Sequence, residues 1–293
     1  MSELIAPGVW RLALRTPTLP PATTTNTLII AGARVAVIEP ATPHPEESAR
    51  IDAELARLHE EGRELAYLLV THHHRDHIGD VERLQARWGG EICAHAETAR
   101  RVPFAVGRSL EGGDRLDLGE GYTLEAHYTP GHAPGHLVYE WLEGGVAHAG
   151  DLVAGEGTIL VDPRDDGDMQ DYFASLERMR RRFAPGGEAV AGARWVPAHG
   201  PVLEAPAELC SAYLAHRQGR EDKILAALAS HERLAWADLL ASAYDDKPRE
   251  ILPLAAGALE AHLVKLGREG RVERRVSETG GVELSRVDVE PPG

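Results

Sequence analysis

Cysteine is scarce in this chain. Two occur in 293 residues, Cys93 and Cys210, in no C-x-x-C pattern, so a disulfide framework is excluded and a reducing compartment is the simpler reading. Long apolar runs are missing too: nothing approaches the roughly 18 uninterrupted apolar residues needed to span a bilayer, and the run at 65–70 is only strand-sized. The first ten residues lack a basic stretch followed by a continuous apolar one, which excludes the usual secretory signal and leaves a cytoplasmic address as the expectation, with no membrane partner. Positive charge is also in deficit. Against 46 acidic side chains stand 31 basic ones, a formal charge of −15, so bulk charge does not point to a polyanion ligand. With 43% hydrophobic and 26% charged residues, and a mean hydropathy of −0.27, the composition is that of a soluble globular protein, of about two domains by length.

What the chain has in excess is histidine, 15 in all, several within a few residues of each other and of aspartates. From residue 1 to about 200, short aliphatic runs alternate with Gly/Pro punctuation and helical spacing, which predicts stacked sheet and helix layers. Strands are expected at 27–30, 34–38, 65–70, 91–95, 137–141 and 145–149, with a hairpin over 116–128. Helices are expected at 46–61, ended by Gly62, and at 81–88. Beyond Pro201 the strand patterns stop. Helical spacing covers 207–228, 234–244 and 254–269, and two short strands at 271–276 and 282–287 flank the turn Thr279-Gly280-Gly281, a winged-helix order.

The strongest chemical signal is His72-x-His74-x-Asp76-His77, directly after the 65–70 strand. Imidazole nitrogen and carboxylate oxygen suit zinc and similar ions, and four donors in six residues can point into one cavity. Period-two alternation would put His72, His74 and Asp76 on one side, His73 on the other as a packing or surface residue, and a turn would bring His77 to a second metal position. Two metals need more ligands, and His132, Asp151 and His199 each stand at a predicted strand-to-loop corner.

That set, H-x-H-x-D-H followed by His132, Asp151 and His199, resembles the metallo-β-lactamase superfamily over about residues 1–205. The resemblance implies an α/β fold, an αββα sandwich of two mixed sheets, with His72, His74 and His132 on one metal, Asp76, His77 and His199 on the other, and Asp151 bridging. It implies two zinc ions, with iron or manganese as alternatives, and a metal-bridging hydroxide acting on an ester, thioester or phosphodiester. Asp76 would orient the hydroxide or accept its proton, and no serine, cysteine or lysine nucleophile is required. Many members carry an Asp-x-Gly turn after the second strand; here Glu39-Pro40-Ala41 stands there, so Glu39 must brace the metal loop with a longer arm or the bracing lies elsewhere. His136 is a candidate either for supporting a ligand or for touching substrate.

Residues 206–293 resemble the winged-helix tail of the β-lactamase-like protein 2 type, on Tyr213-x-x-His216-Arg217 and Leu259-x-x-His262-Leu263-x-x-Leu266-x-x-Glu269-Gly270. An endoribonuclease acting on single-stranded RNA belongs to that group, so the resemblance admits a small-molecule or an RNA substrate, with 254–268 as the recognition helix. Residues 213–286 carry 12 basic and 12 acidic side chains, and only Arg268, Arg271, Arg274 and Arg275 form a basic patch, which reads more simply as a solvated wing edge than as a phosphate footprint. A dimerisation element, giving a homodimer, or a lid over the metal cleft are the other roles for the tail. Two alternatives to the hydrolase stand: a mononuclear iron persulfide dioxygenase, and a nucleic-acid-binding regulator without activity.

Overall fold

The computed structural model of the chain describes residues 2–277 and 280–287. Its first sheet has seven strands in the order β1 (Glu3–Ala6), β2 (Val9–Arg15), β3 (Thr24–Ala31), β4 (Arg34–Ile38), β5 (Glu64–Leu69), β6 (Glu91–Ala94) and β7 (Arg108–Ser109). Strands β1 to β4 are antiparallel and β4 to β7 parallel. The parallel half is fed by crossover helices α1 (Pro45–Glu60) and α2 (Val81–Trp88), with a single turn, α3 (Ala96–Ala99), after β6. Helix α1 buries Ile51, Leu55 and Leu58 on one face, at the spacing that predicted it.

The second sheet runs β13 (Leu203–Glu204), β12 (Arg194–Pro197), β11 (Val146–Gly150), β10 (Leu137–Trp141), β9 (Thr123–Tyr128) and β8 (Arg115–Asp117). Only β11 and β12 pair in parallel, and between them lies α4 (Met169–Arg182). Leu28, Ile30 and Ile38 of the first sheet meet Leu124, Tyr139 and Val196 of the second in one buried layer, which includes Cys93 as a small apolar residue. Helices α1 and α2 cover the outer face of the first sheet, and α4 covers that of the second. The αββα order of layers and the two mixed sheets are as the sequence led us to expect.

A winged helix follows. Helix α5 (Pro206–Ala229) is separated from β13 by Ala205 alone. Its early residue Cys210 packs beside the second sheet with Tyr172 and Trp195, whereas Ile224 and Leu228 belong to the core of the appended unit. That unit contains β14 (Leu234–Ala235), α6 (Trp236–Ala243), α7 (Leu252–Arg268), β15 (Val272–Val276) and β16 (Val282–Arg286), its three strands ordered β14-β16-β15. The 234–244 stretch thus opens as a two-residue strand before turning helical, because Leu234 pairs with Leu284. Of the expected wing turn, Thr279 lies outside the described residues.

Candidate metal centre

Every expected ligand sits just past the carboxyl end of a strand, the usual location of sites in parallel α/β layers. Residues 71–77 follow β5, His132 follows β9, Asp151 follows β11 and His199 follows β12. Two glycines make the close approaches there. Gly131 (φ +131°) lies so near the backbone of Tyr172 that a Cβ would overlap it, and Gly150 (φ +53°) lies equally near the His136 ring.

Two triads of donors result. His72 Nε2, His74 Nδ1 and His132 Nε2 stand 2.9, 3.0 and 3.3 Å apart. Donors on a tetrahedron around zinc, at bonds of 2.0–2.1 Å, would stand about 3.3 Å apart. In the second triad, Asp76 lies 3.6 Å from His77 Nε2 and 3.5 Å from His199 Nε2. The Asp151 carboxylate is between the two: Oδ2 is 3.4 Å from His132 Nε2 and 3.7 Å from His77 Nε2, and Oδ1 is 3.6 Å from His199 Nε2. All seven expected side chains converge.

The far edge of four of the five rings is held, which fixes the near edge as a lone pair facing the centre. His132 Nδ1–H donates to Leu160 O at 2.6 Å and His199 Nδ1–H to Thr24 O at 2.9 Å. His72 Nδ1 is 2.9 Å from Thr71 Oγ1. Buried Glu39 has two tasks: Oε1 accepts from Thr71 N–H at 2.7 Å, and Oε2 accepts from His77 Nδ1–H. So Glu39, itself at φ +60°, does brace the metal loop. His136 is fully buried and supports a ligand rather than facing substrate: its Nε2 accepts from Asp151 N–H at 3.0 Å, and its Nδ1 is 2.8 Å from Thr129 Oγ1.

One expectation is corrected. Residues 71–77 form no strand but a loop, so alternation does not apply, and His73 lines the same cleft as His74. With His74 and Asp165 it makes a further group of donors. Hydrogen bonding to His74 comes first among the causes that hold the Asp165 carboxyl down at about 2. Sequence reasoning missed Asp165, which follows no strand, and took Arg217 only as part of the winged-helix pattern.

The residues fit a metal. His77 Nε2 and Asp151 Oδ1 are buried with no hydrogen-bond partner among the described residues, and an unsatisfied buried polar atom costs about 1–3 kcal/mol. Burial opposes charge on His77, but Glu39, Asp76 and Asp151 outweigh it and lift its pKa to about 10; the cavity demands a cation. Burial, then the neighbouring imidazoles His77, His74, His132 and His136, keep His72 well below its usual value. Burial chiefly, with His74 next, holds His132 at about 4. Both are neutral, as ligands must be.

Residues 20–182 match the family described as "Metallo-beta-lactamase superfamily", and residues 236–280 match "Beta-lactamase associated winged helix domain". A beta-lactamase-like protein 2 homolog of Caenorhabditis elegans is 27% identical over 266 residues, 87% of this chain and 82% of that protein. A hydroxyacylglutathione hydrolase of Rhodospirillum rubrum is 32% identical over 144 residues, 49% of this chain and 52% of its own. The crystal structure of a beta-lactamase domain protein from Burkholderia ambifaria superposes with a TM-score of 0.78 at 18% identity, covering 98% of this chain and 93% of that one.

Proposed function

This chain belongs to the metallo-beta-lactamase superfamily, which includes metal-dependent hydrolases, and on that premise we propose that it is a dinuclear zinc hydrolase of an ester, thioester or phosphodiester. The observation that carries the reading is the Asp151 carboxylate lying between two donor triads. His72, His74 and His132 would hold one ion, Asp76, His77 and His199 the other, with Asp151 reaching both. A nitrogen- and oxygen-only donor set suits zinc. When bound, such a pair supplies an activated water and polarises the carbonyl or phosphoryl oxygen.

The chain's own residues do the remainder. Asp76 lines the cleft, where its carboxylate can orient the attacking water or accept its proton. Glu39, Leu160, Thr24 and Thr71 lock the imidazole edges, so the donors need no reorganisation. The mononuclear iron reading would leave one of the two triads without a task. A division of the chain between Ala205 and Pro206 goes with the proposal.

A small molecule suits the cleft better than RNA does. The Arg268, Arg271, Arg274 and Arg275 patch is already met by Asp168, Glu269, Glu260 and Glu273 respectively. The expected recognition helix, α7, packs on α4 and lends Leu254, Ala255 and Ala258 to the cleft wall. No described helix is long and apolar enough to cross a membrane.

Metal quantification joined to a panel of model phosphodiesters, thioesters, lactones and single-stranded RNA tests the proposal. About two zinc ions per chain and turnover of one panel class are expected. An Asp151→Ala protein that kept both its zinc and its turnover would defeat it.

A further inference from the structure

The cleft that contains the donor triads is larger than they require. It encloses about 1430 Å³, against roughly 300–1,000 Å³ for ordinary small-molecule pockets. Tyr213 marks the metal end, for its hydroxyl accepts from Ala154 N–H at 2.9 Å, three residues past Asp151. His216 and Arg217 follow one turn on, and Arg220 another, so at 1.5 Å per residue this wall of α5 extends about 10 Å from Tyr213.

Charge changes sign along that length. The acids among the lining residues, Asp76, Asp151, Glu156, Asp162 and Asp165, all precede α5 and outnumber the three arginines of the same segments, Arg75, Arg100 and Arg101. From α5 onward the lining contributes His216, Arg217, Arg220 and Lys247 and, among the described residues, no acid. From outside the lining, Asp246 reaches Arg220 at 2.9 Å, Lys223 at 3.1 Å and Lys247 at 3.9 Å, and Asp245 reaches Lys223 at 2.9 Å, two carboxylates among three cations. Arg217 is buried, with no carboxylate within ion-pair distance among the described residues, and its Nε lacks a hydrogen-bond partner. In a chain of net charge −15, this is a local excess of positive charge.

The rim is apolar. Leu19, Ile251 and Leu254 are 58%, 42% and 41% exposed, and all three border this cleft. Exposed apolar side chains that gather at one opening mark a ligand surface, whereas scattered ones do not.

We propose that the substrate is an anionic amphiphile, with an apolar body lying along Leu19, Ile251 and Leu254. A carboxylate or phosphate monoester, remote from the scissile bond, is held by His216, Arg220 and Lys247. The inference rests on the hydrolase reading, and its test does not use turnover.

Calorimetric titration of octanoate, octyl phosphate and octanol into the metal-loaded protein, and into a His216→Glu/Lys247→Glu variant, decides it. At least one anion should bind tenfold or more tightly than octanol, and the variant should raise that anion's Kd at least tenfold while leaving octanol within twofold. Preference between the two anions identifies the head group. Equal binding of all three overturns the proposal. So does an anion whose affinity ignores the charge reversal, since the metal end alone then holds it. Salt-dependent binding of a single-stranded 12-nucleotide oligomer with both octyl anions unbound overturns it as well. Absence of turnover across the panel would instead sink the hydrolase reading and leave the calorimetry to be judged alone.

Discussion

Arg217 and His132 are tied to consecutive carbonyls. The Arg217 guanidinium donates to Ile159 O, and His132 Nδ1–H donates to Leu160 O at 2.6 Å. A residue of the long helix therefore anchors the dipeptide that aims a metal ligand. It lies over the Tyr172 ring at 5.4 Å as well, so its planar cation is fixed from two sides.

Replacing Arg217 by Met should free that dipeptide. The expected result is a zinc dissociation constant raised roughly tenfold, the low end for support residues behind a ligand, with a loss of about 1–3 kcal/mol in unfolding free energy. Chelator competition and denaturant unfolding measure the two. Unchanged zinc affinity in a folded variant would dissociate Arg217 from the site.

Glu39 offers a graded pair of substitutions. Glu39→Gln keeps one acceptor oxygen, for either Thr71 N–H or His77 Nδ1–H, and turns an amide NH2 toward the other, so it should weaken zinc less than Glu39→Ala, which loses both bonds and should weaken it about 10–100-fold. Zinc titration of the two variants side by side gives the order. Equal losses would show that charge, not the accepted bonds, is what matters.

The joint between α5 and α7 should be acid-labile. Glu221 is fully buried, accepting from Lys265 Nζ at 2.9 Å and lying 3.1 Å from His262 Nδ1. Burial, outweighing Glu221, holds His262 below its ordinary 6.5, so below that pH the unfolded chain takes a proton that the folded one refuses. Burial would raise Glu221, but His262 and Lys265 prevail and hold it below 4.5, adding a second loss at lower pH. Stability should therefore be full above about pH 6.5 and decline as pH falls, read as the melting temperature against pH. Glu221→Gln, leaving Lys265 without its buried partner, should cost about 3–5 kcal/mol, though Glu269 at 2.8 Å moderates this. A flat profile from pH 7 to 5 would contradict the assignment.

Burial pushes both the Cys93 and the Cys210 thiols up to about 12. The reactive thiolate is thus almost absent at pH 8. A disulfide reagent at that pH should label neither thiol in the native protein and both after denaturation. Rapid native labelling of either would show that its surroundings open.

Much of this centre was legible because each ligand follows a strand whose apolar run is plain in the sequence, and because turns such as Thr129-Pro130-Gly131 announce the corner. The need for a brace at Glu39 was also readable, although its two bonds were not, since Thr71 and His77 lie more than 30 residues away. Helix α4 left a signal that went unread: Met169, Tyr172, Leu176 and Met179 recur at helical spacing behind Asp168, whose carboxylate accepts from Gln170 N–H and Asp171 N–H. The position of His73 was misjudged because period-two reasoning holds only while the chain is extended. Packing of α7 on the cleft had no local signature at all; it depends on Gly257, where any Cβ would overlap the Asp162 carboxylate, and such contacts arise only in the folded chain.

The helix that passes unbroken from one core into the other, with Cys210 in the first and Ile224 in the second, works as an axle. One residue inserted between them would turn everything downstream by about 100°, carrying Ile251 and Leu254 off their register with the chemistry. Length changes here are therefore geared: only those near whole turns would keep the mouth of the cleft in phase with the two donor triads.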